Sequence, residues 1–165
     1  MKILYSEPVD LKTVSLNILD HLFYLAEKYL ILEVQQNILE AVNAVKDYLR
    51  NVKDITILLN IESESPVKNA LTEVVIEFLM NIHSGAYSYD YVAIVEQVSF
   101  LASAYYSGLY SDRVKKAMVM GIGDHIFNVD SESEALRILA VIPQSEANSK
   151  FIHMLIRKYY GLTVN

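Results

Sequence analysis

The chain has 165 residues, 53% of them apolar, a net charge of −6 and no cysteine. That composition excludes disorder, and a chain of this length buries roughly 70% of its unfolded surface in one core without a covalent staple. The missing cysteine excludes a disulfide framework, a thiolate nucleophile and a cysteine-ligated zinc or iron–sulfur site, while the acidic balance disfavours nucleic acid as a partner, because such binders carry a basic excess.

Glycine and proline punctuate the chain. The prolines are Pro8, Pro66 and Pro143, the glycines are Gly85, Gly108, Gly121, Gly123 and Gly161, and there are none between Val9 and Ser65. A first helix is predicted from Asp10, whose carboxylate can accept from the free amides of the first turn, to about Leu32. Its expected core row is Leu11, Val14, Ile18, Leu22, Leu25 and Tyr29. Thr13, Asn17, Asp20, Tyr24 and Glu27 form the opposite, polar row. A second helix is predicted from Glu33 to Lys53, with Val34, Ile38, Ala41, Val45, Tyr48 and Val52 as a seam in steps of four and three. Nothing breaks the chain between these two, so one helix over residues 10–53, ~60 Å long, is the alternative.

Residues 55–61 are apolar and β-branched, and read either as a short strand, pairing with Lys2–Tyr5, or as the buried end of the second helix. A third helix opens at Ser65 as N-cap, with Pro66 at its first position, and runs to near Gly85. Val67, Ala70, Leu71, Val74, Phe78 and Ile82 are its expected core face. A fourth spans Ser88 to Ser107 and is apolar nearly all round, which places it at the centre of a domain. A fifth runs from Ser111 to Asn128. Gly121 and Gly123 inside it each cost about 1 kcal/mol against alanine and point to a kink or a close helix–helix contact. A sixth starts at the capping box Ser131-Glu132-Ser133-Glu134 and stops at Pro143. The seventh runs from Ser145 to Tyr160 and ends at Gly161. The reading is an all-α fold, a bundle of six or seven helices around a buried central helix in a single domain, residues 1–165; a short α-solenoid is the second architecture.

Two groups of residues stand out. Glu146, Lys150, His153, Arg157 and Tyr160 recur in steps of four and three on the last helix, with Lys158 beside them. Lys150, His153, Arg157, Lys158 and Tyr160 are thereby candidates for anion or nucleic-acid contact, since cations with an aromatic end can hold phosphates and stack a base. Cations near a helix C-terminus also complement the macrodipole and need no ligand. The second group is Tyr87, Tyr89, Tyr105, Tyr106 and Tyr110, with Tyr91, flanking the fourth helix. Tyrosine is enriched at interfaces, so these five are candidates for a partner interface; local packing around a buried helix explains them equally.

The remaining patterns carry less. Arg113, Lys115 and Lys116 read as a solvated surface. Ser65-Pro66-Val67-Lys68 matches Ser-x-x-Lys, but Ser65 is accounted for as an N-cap. His21, His83, His125 and His153 are scattered, without metal-ligand spacing, and His125 reads as a core histidine. Glu96 reads as half-buried. No catalytic residue, cofactor or metal is expected, and no run of 18 apolar residues suggests a transmembrane helix. The N-terminus lacks the apolar core of a signal peptide. The expectation is a cytoplasmic, non-enzymatic protein–protein interaction or assembly subunit, self-associating (a homodimer) or part of a larger complex. The alternative is a nucleic-acid-associated small helical subunit, for example of a ribonucleoprotein complex, using the basic stripe of the last helix.

Overall fold

The computed structural model describes residues 14–61, 64–82, 91–127 and 132–161. Among them the fold is all-α, with no strand. The α-helices are α1 (Leu16–Lys28), α2 (Leu32–Asn43), α3 (Pro66–Met80), α4 (Tyr91–Tyr106), α5 (Asp112–Phe127), α6 (Glu132–Val141) and α7 (Glu146–Tyr160). Two 3-10 segments, Ala44–Tyr48 and Val52–Asn60, lie between α2 and α3. The chain divides into two compact units: Met1–Arg50 with Asp54–Val75, and Asn51–Lys53 with Ile76–Asn165.

In the first unit α1 and α2 pack against each other. The continuous helix over residues 10–53 does not form. The chain turns at Tyr29–Ile31, where Leu30 adopts a left-handed φ of 56°. A Cβ-bearing residue there is disfavoured by ~1–2 kcal/mol. Hydrogen bonds hold the turn: the Ile31 N–H donates to the Ala26 carbonyl at 2.8 Å and the Gln35 side-chain amide to the same oxygen at 3.2 Å. Asp10 and the expected start of the first helix fall outside the described residues.

The core row expected on the first helix is overturned. Leu19, Phe23 and Ala26 are buried, while Ile18 (53% exposed), Leu25 (46%) and Tyr29 (66%) face solvent. Both faces of α1 are apolar, so periodicity alone offered two candidates, and the longer row is the outward one. The seam expected on the second helix holds in part. Ile38 and Val52 are buried as expected, but so is Val42, and Tyr48 is exposed, because the α-helix stops at Asn43 rather than Lys53 and the chain tightens into 3-10 turns.

Residues 55–61 are thus neither a strand nor the end of α2. In a 3-10 helix side chains three apart eclipse one another. Leu49, Val52, Ile55, Leu58 and Ile61 follow that spacing, and all are buried. The start of the longer segment is fixed by side chains: Asn51 Oδ1 accepts from the Lys53 N–H at 3.0 Å and Asp54 Oδ2 from the Arg50 N–H at 2.7 Å.

Helix α3 begins as expected. The Lys68 N–H donates to Ser65 Oγ at 3.1 Å, and Val67, Leu71, Val74 and Ile82 are buried. It ends at Met80, and Gly85 lies outside the described residues. In the second unit α4 packs against α5, α6 and α7, the central place its composition predicted. Helix α5 is a close-approach helix. A Cβ at Gly121 would overlap the Leu79 backbone carbonyl, and one at Gly123 would strike the Tyr159 ring. Ser131 of the expected capping box is not among the described residues. Helix α7 has both expected ends: Ser145 Oγ accepts from the Asn148 N–H at 3.1 Å, and Gly161 closes it with a left-handed φ of 63°.

Candidate functional site

Helix α7 buries Asn148, Phe151 and Leu155 and leaves Lys150, His153, Arg157 and Lys158 exposed. Its start is anchored by Asn148, whose side-chain amide donates to the Pro143 carbonyl at 2.8 Å and reaches Ser99 Oγ on α4 at 3.4 Å. That anchoring brings the end of α4 beside the cations. Tyr106 joins Lys150, His153, Met154, Arg157 and Lys158 around a groove of about 480 Å³. One member of the tyrosine group, Tyr106, therefore meets the cations of the last helix at one surface.

The groove's electrostatics are partly internal. Lys150 Nζ pairs with Glu146 Oε1 at 2.6 Å, and this hydrogen bond and charge raise the lysine pKa and lower that of the glutamate. The Tyr106 phenol lies above its usual value, first through burial and then through Tyr105, with Lys150 pulling the other way. Tyr105 packs edge-on against Tyr106 (5.0 Å between centroids) and Phe151 (5.6 Å), and Lys115 Nζ sits 5.7 Å from its ring centre.

The other candidates separate from this groove. Tyr110 is buried (7% exposed), and burial raises its phenol pKa. Its burial withdraws it from the interface set. Tyr87 and Tyr89 lie outside the described residues. Tyr160 turns toward α5, edge-on to Phe127 at 5.3 Å. His125 is buried, as read from sequence. Glu96, read as half-buried, is exposed and lies 3.7 Å from Lys53.

Three features escaped the sequence reading. The first is the outward face of α1, where Ile18, Tyr24, Leu25 and Tyr29 are exposed, with Leu30 and Leu32 of the following turn. The second is the Tyr159 clamp. Its hydroxyl lies 2.5 Å from Asp124 Oδ1 and 3.1 Å from the Met120 carbonyl, and its ring stacks on Phe127 at 4.8 Å. Gly121 and Gly123 signalled a close approach, but nothing in the local pattern named a ring 36 residues further on. The third is a groove of about 730 Å³ in the first unit, lined by Asp20, His21, Tyr24, Glu27 and Glu64 among others. Among the described residues no three His, Asp or Glu side chains are grouped so as to hold a metal ion, and no helix is long and apolar enough to cross a membrane.

No family model, curated protein or solved structure matches this chain.

Proposed function

We propose that this is a non-enzymatic interaction subunit of the cytoplasm, which associates with a second copy of itself or with other members of a larger assembly. The observation that carries this reading is the outward face of α1. A helix already packed through Leu19, Phe23 and Ala26 also presents Ile18, Leu25 and Tyr29 to solvent. Scattered exposed apolar side chains are ordinary, but a contiguous apolar row marks a contact surface. Burying it in an interface contributes about 25 cal/mol per Å² of apolar area, before the cost of association is subtracted.

The test is affinity capture with wild-type protein and with the Ile18→Glu/Leu25→Glu variant, each with and without nuclease. Both positions are exposed, so the fold should lose less than about 1 kcal/mol. Association should weaken on the order of a hundredfold, since a charge buried in an apolar contact costs several kcal/mol. Untagged copies or partner proteins should survive nuclease with the wild type and disappear with the variant. Equal recovery with both proteins would remove α1 from the account.

A second reading is favoured by one observation, the convergence of Tyr106 with the α7 cations. A groove with Lys150, Arg157 and Lys158 on its walls and a phenol at its edge suits the phosphodiester backbone of a single strand, with a base stacked on the ring. Here Arg157→Glu with Lys150→Glu should abolish nucleic-acid binding while leaving the melting temperature nearly unchanged. Wild-type binding should fall steeply with salt, because each neutralised phosphate releases counterions. Absence of binding at low salt, measured by fluorescence anisotropy, ends this reading.

A further inference from the structure

Each unit carries a groove, and the two grooves are opposite in charge. In the first unit Asp20, Glu27 and Glu64 line the groove of about 730 Å³ with His21 and Tyr24, and its lining holds no lysine or arginine. In the second unit Lys150, Arg157 and Lys158 line the groove of about 480 Å³ with Tyr106 and Met154, and its lining holds no acid. The imbalance extends beyond the linings. Residues 1–65 carry ten carboxylates against six lysines and arginines, and residues 146–160 carry three such cations against one glutamate. The charges also share one spacing. Asp20, Tyr24 and Glu27 on α1 follow steps of four and three, and Lys150, Met154 and Arg157 on α7 follow the same steps. The outer charges of each set are therefore about 10.5 Å apart along their helix, at 1.5 Å per residue. Two such helices laid side by side bring both acid–base pairs together in either direction. Tyr24, 63% exposed, then lies between the pairs, against the middle of α7. Two local ion pairs touch these grooves, Lys150–Glu146 at 2.6 Å and Lys68–Glu64 at 2.9 Å. In both the carboxylate is 82% exposed, and pairs so open to water contribute little and exchange readily.

We propose that the α7 face of one copy docks in the acidic groove beside α1 of a second copy. This rests on the reading of the chain as a self-associating subunit, and it names a contact separate from the outer apolar face of α1. At 3.6 residues per turn, Ile18, Leu25 and Tyr29 flank the buried stripe of Leu19, Phe23 and Ala26 on one side, and Asp20, Tyr24 and Glu27 flank it on the other. A second copy fits α7 better than a nucleic acid does. A chain of net charge −6 repels a polyphosphate as a whole, whereas its own acidic groove matches α7 in sign and spacing. Complementary charges of this kind select the partner and fix its register. The surface given differs from the surface taken, so two copies can dock reciprocally, or further copies can add in a chain.

Charge reversal tests the docking, read by sedimentation velocity at about 20 mM salt, where the Debye length is on the order of 20 Å. Asp20→Lys/Glu27→Lys removes the acidic partner, and Lys150→Glu/Arg157→Glu removes the basic one. Each variant alone should associate at least tenfold more weakly than the wild type. An equal mixture of the two should recover the wild-type mass, since the reversed groove of one meets the reversed α7 of the other. Should Asp20→Lys/Glu27→Lys lose helical circular dichroism, Glu27→Lys alone, at an exposed position, takes its place. Raising the salt to about 0.15 M should weaken the docking at least tenfold. Association unchanged by salt and by either reversal, and lost only with Ile18→Glu/Leu25→Glu, overturns the docking and leaves the broader reading standing. Reversed variants that associate neither alone nor when mixed overturn it as well. So does a wild type that stays monomeric at about 20 mM salt; if that monomer binds single-stranded nucleic acid, α7 belongs to the second reading, and the capture experiment with Ile18→Glu/Leu25→Glu decides the first.

Discussion

Gly121→Ala is expected to destabilise the protein by more than about 3 kcal/mol, the upper end of what overpacking costs. The added Cβ would land on the carbonyl oxygen and carbon of Leu79. These are backbone atoms near the end of α3, so no rotamer change relieves the overlap. Either α5 moves away from α3 or the helix end distorts. For a chain of this size each kcal/mol lowers the melting temperature by about 2–4 °C, so a drop on the order of 10 °C should appear in a thermal melt followed by circular dichroism. A variant melting with the wild type would mean that α3 and α5 do not approach as described. Gly108 is the control. It has a positive φ of 75° and open space around its Cα, so alanine there meets only the backbone penalty of about 1 kcal/mol.

The second large effect is expected at the Tyr159 clamp, and its signature is a change of sign. Tyr159→Ala removes the stack on Phe127 and leaves Asp124 Oδ1 without the phenol at 2.5 Å. Aromatic truncation and a lost charge-assisted bond together should cost about 3 kcal/mol. Gly123→Ala alone should cost roughly 1–3 kcal/mol, because its Cβ meets the Tyr159 ring. In the Tyr159→Ala background the same substitution meets no ring and should instead stabilise by up to about 1 kcal/mol, the helix preference of alanine over glycine. Additive costs in this double-mutant cycle, measured by urea unfolding, would show that the two residues are not in contact. The clamp also predicts an alkaline limit. Burial first, then the Asp124 hydrogen bond and charge, raise the Tyr159 phenol pKa, so the folded chain holds this proton more tightly than the unfolded one. The stability it contributes is intact below pH ~10, where an unfolded tyrosine titrates, and is lost as pH rises above that. Tyr159→Phe should remove this part of the alkaline loss.

The sequence made the helices after residue 64 legible because their ends are chemical. Ser65-Pro66, Ser145 and Gly161 act through local hydrogen bonds or backbone preference, which need no tertiary context. The centrality of α4 followed from its lack of a polar face. What failed was the choice of face on α1. The rows through Ile18, Leu25 and Tyr29 and through Leu19, Phe23 and Ala26 are both apolar, and a period of 3.6 cannot say which one a neighbour covers. The turn at Leu30 was illegible for a related reason: the residue there contradicts its own conformation, and packing of α1 on α2 overrides it. The segment from Leu49 to Ile61 was legible in principle. Five aliphatic side chains at a strict spacing of three fit a 3-10 stripe better than a strand or an α-helix, and Asn51 with Asp54 marks where it starts.

The candidate surfaces were half visible. Lys150, His153 and Arg157 share a face through helical spacing alone, and the structure adds Tyr106 from α4, a contact 44 residues away from Lys150 in sequence. The outer row of α1 was seen as apolar and assigned inward. Its exposure turned a core element into the surface on which the proposed function rests.

The most direct measurement is sedimentation velocity of the wild-type chain and of Ile18→Glu/Leu25→Glu across a wide concentration range. The account predicts a wild-type mass that rises with concentration, toward that of two chains if the partner is a second copy, and a variant that stays monomeric with unchanged helical circular dichroism. Two proteins that sediment alike as monomers, and recover the same partners in capture, would contradict it.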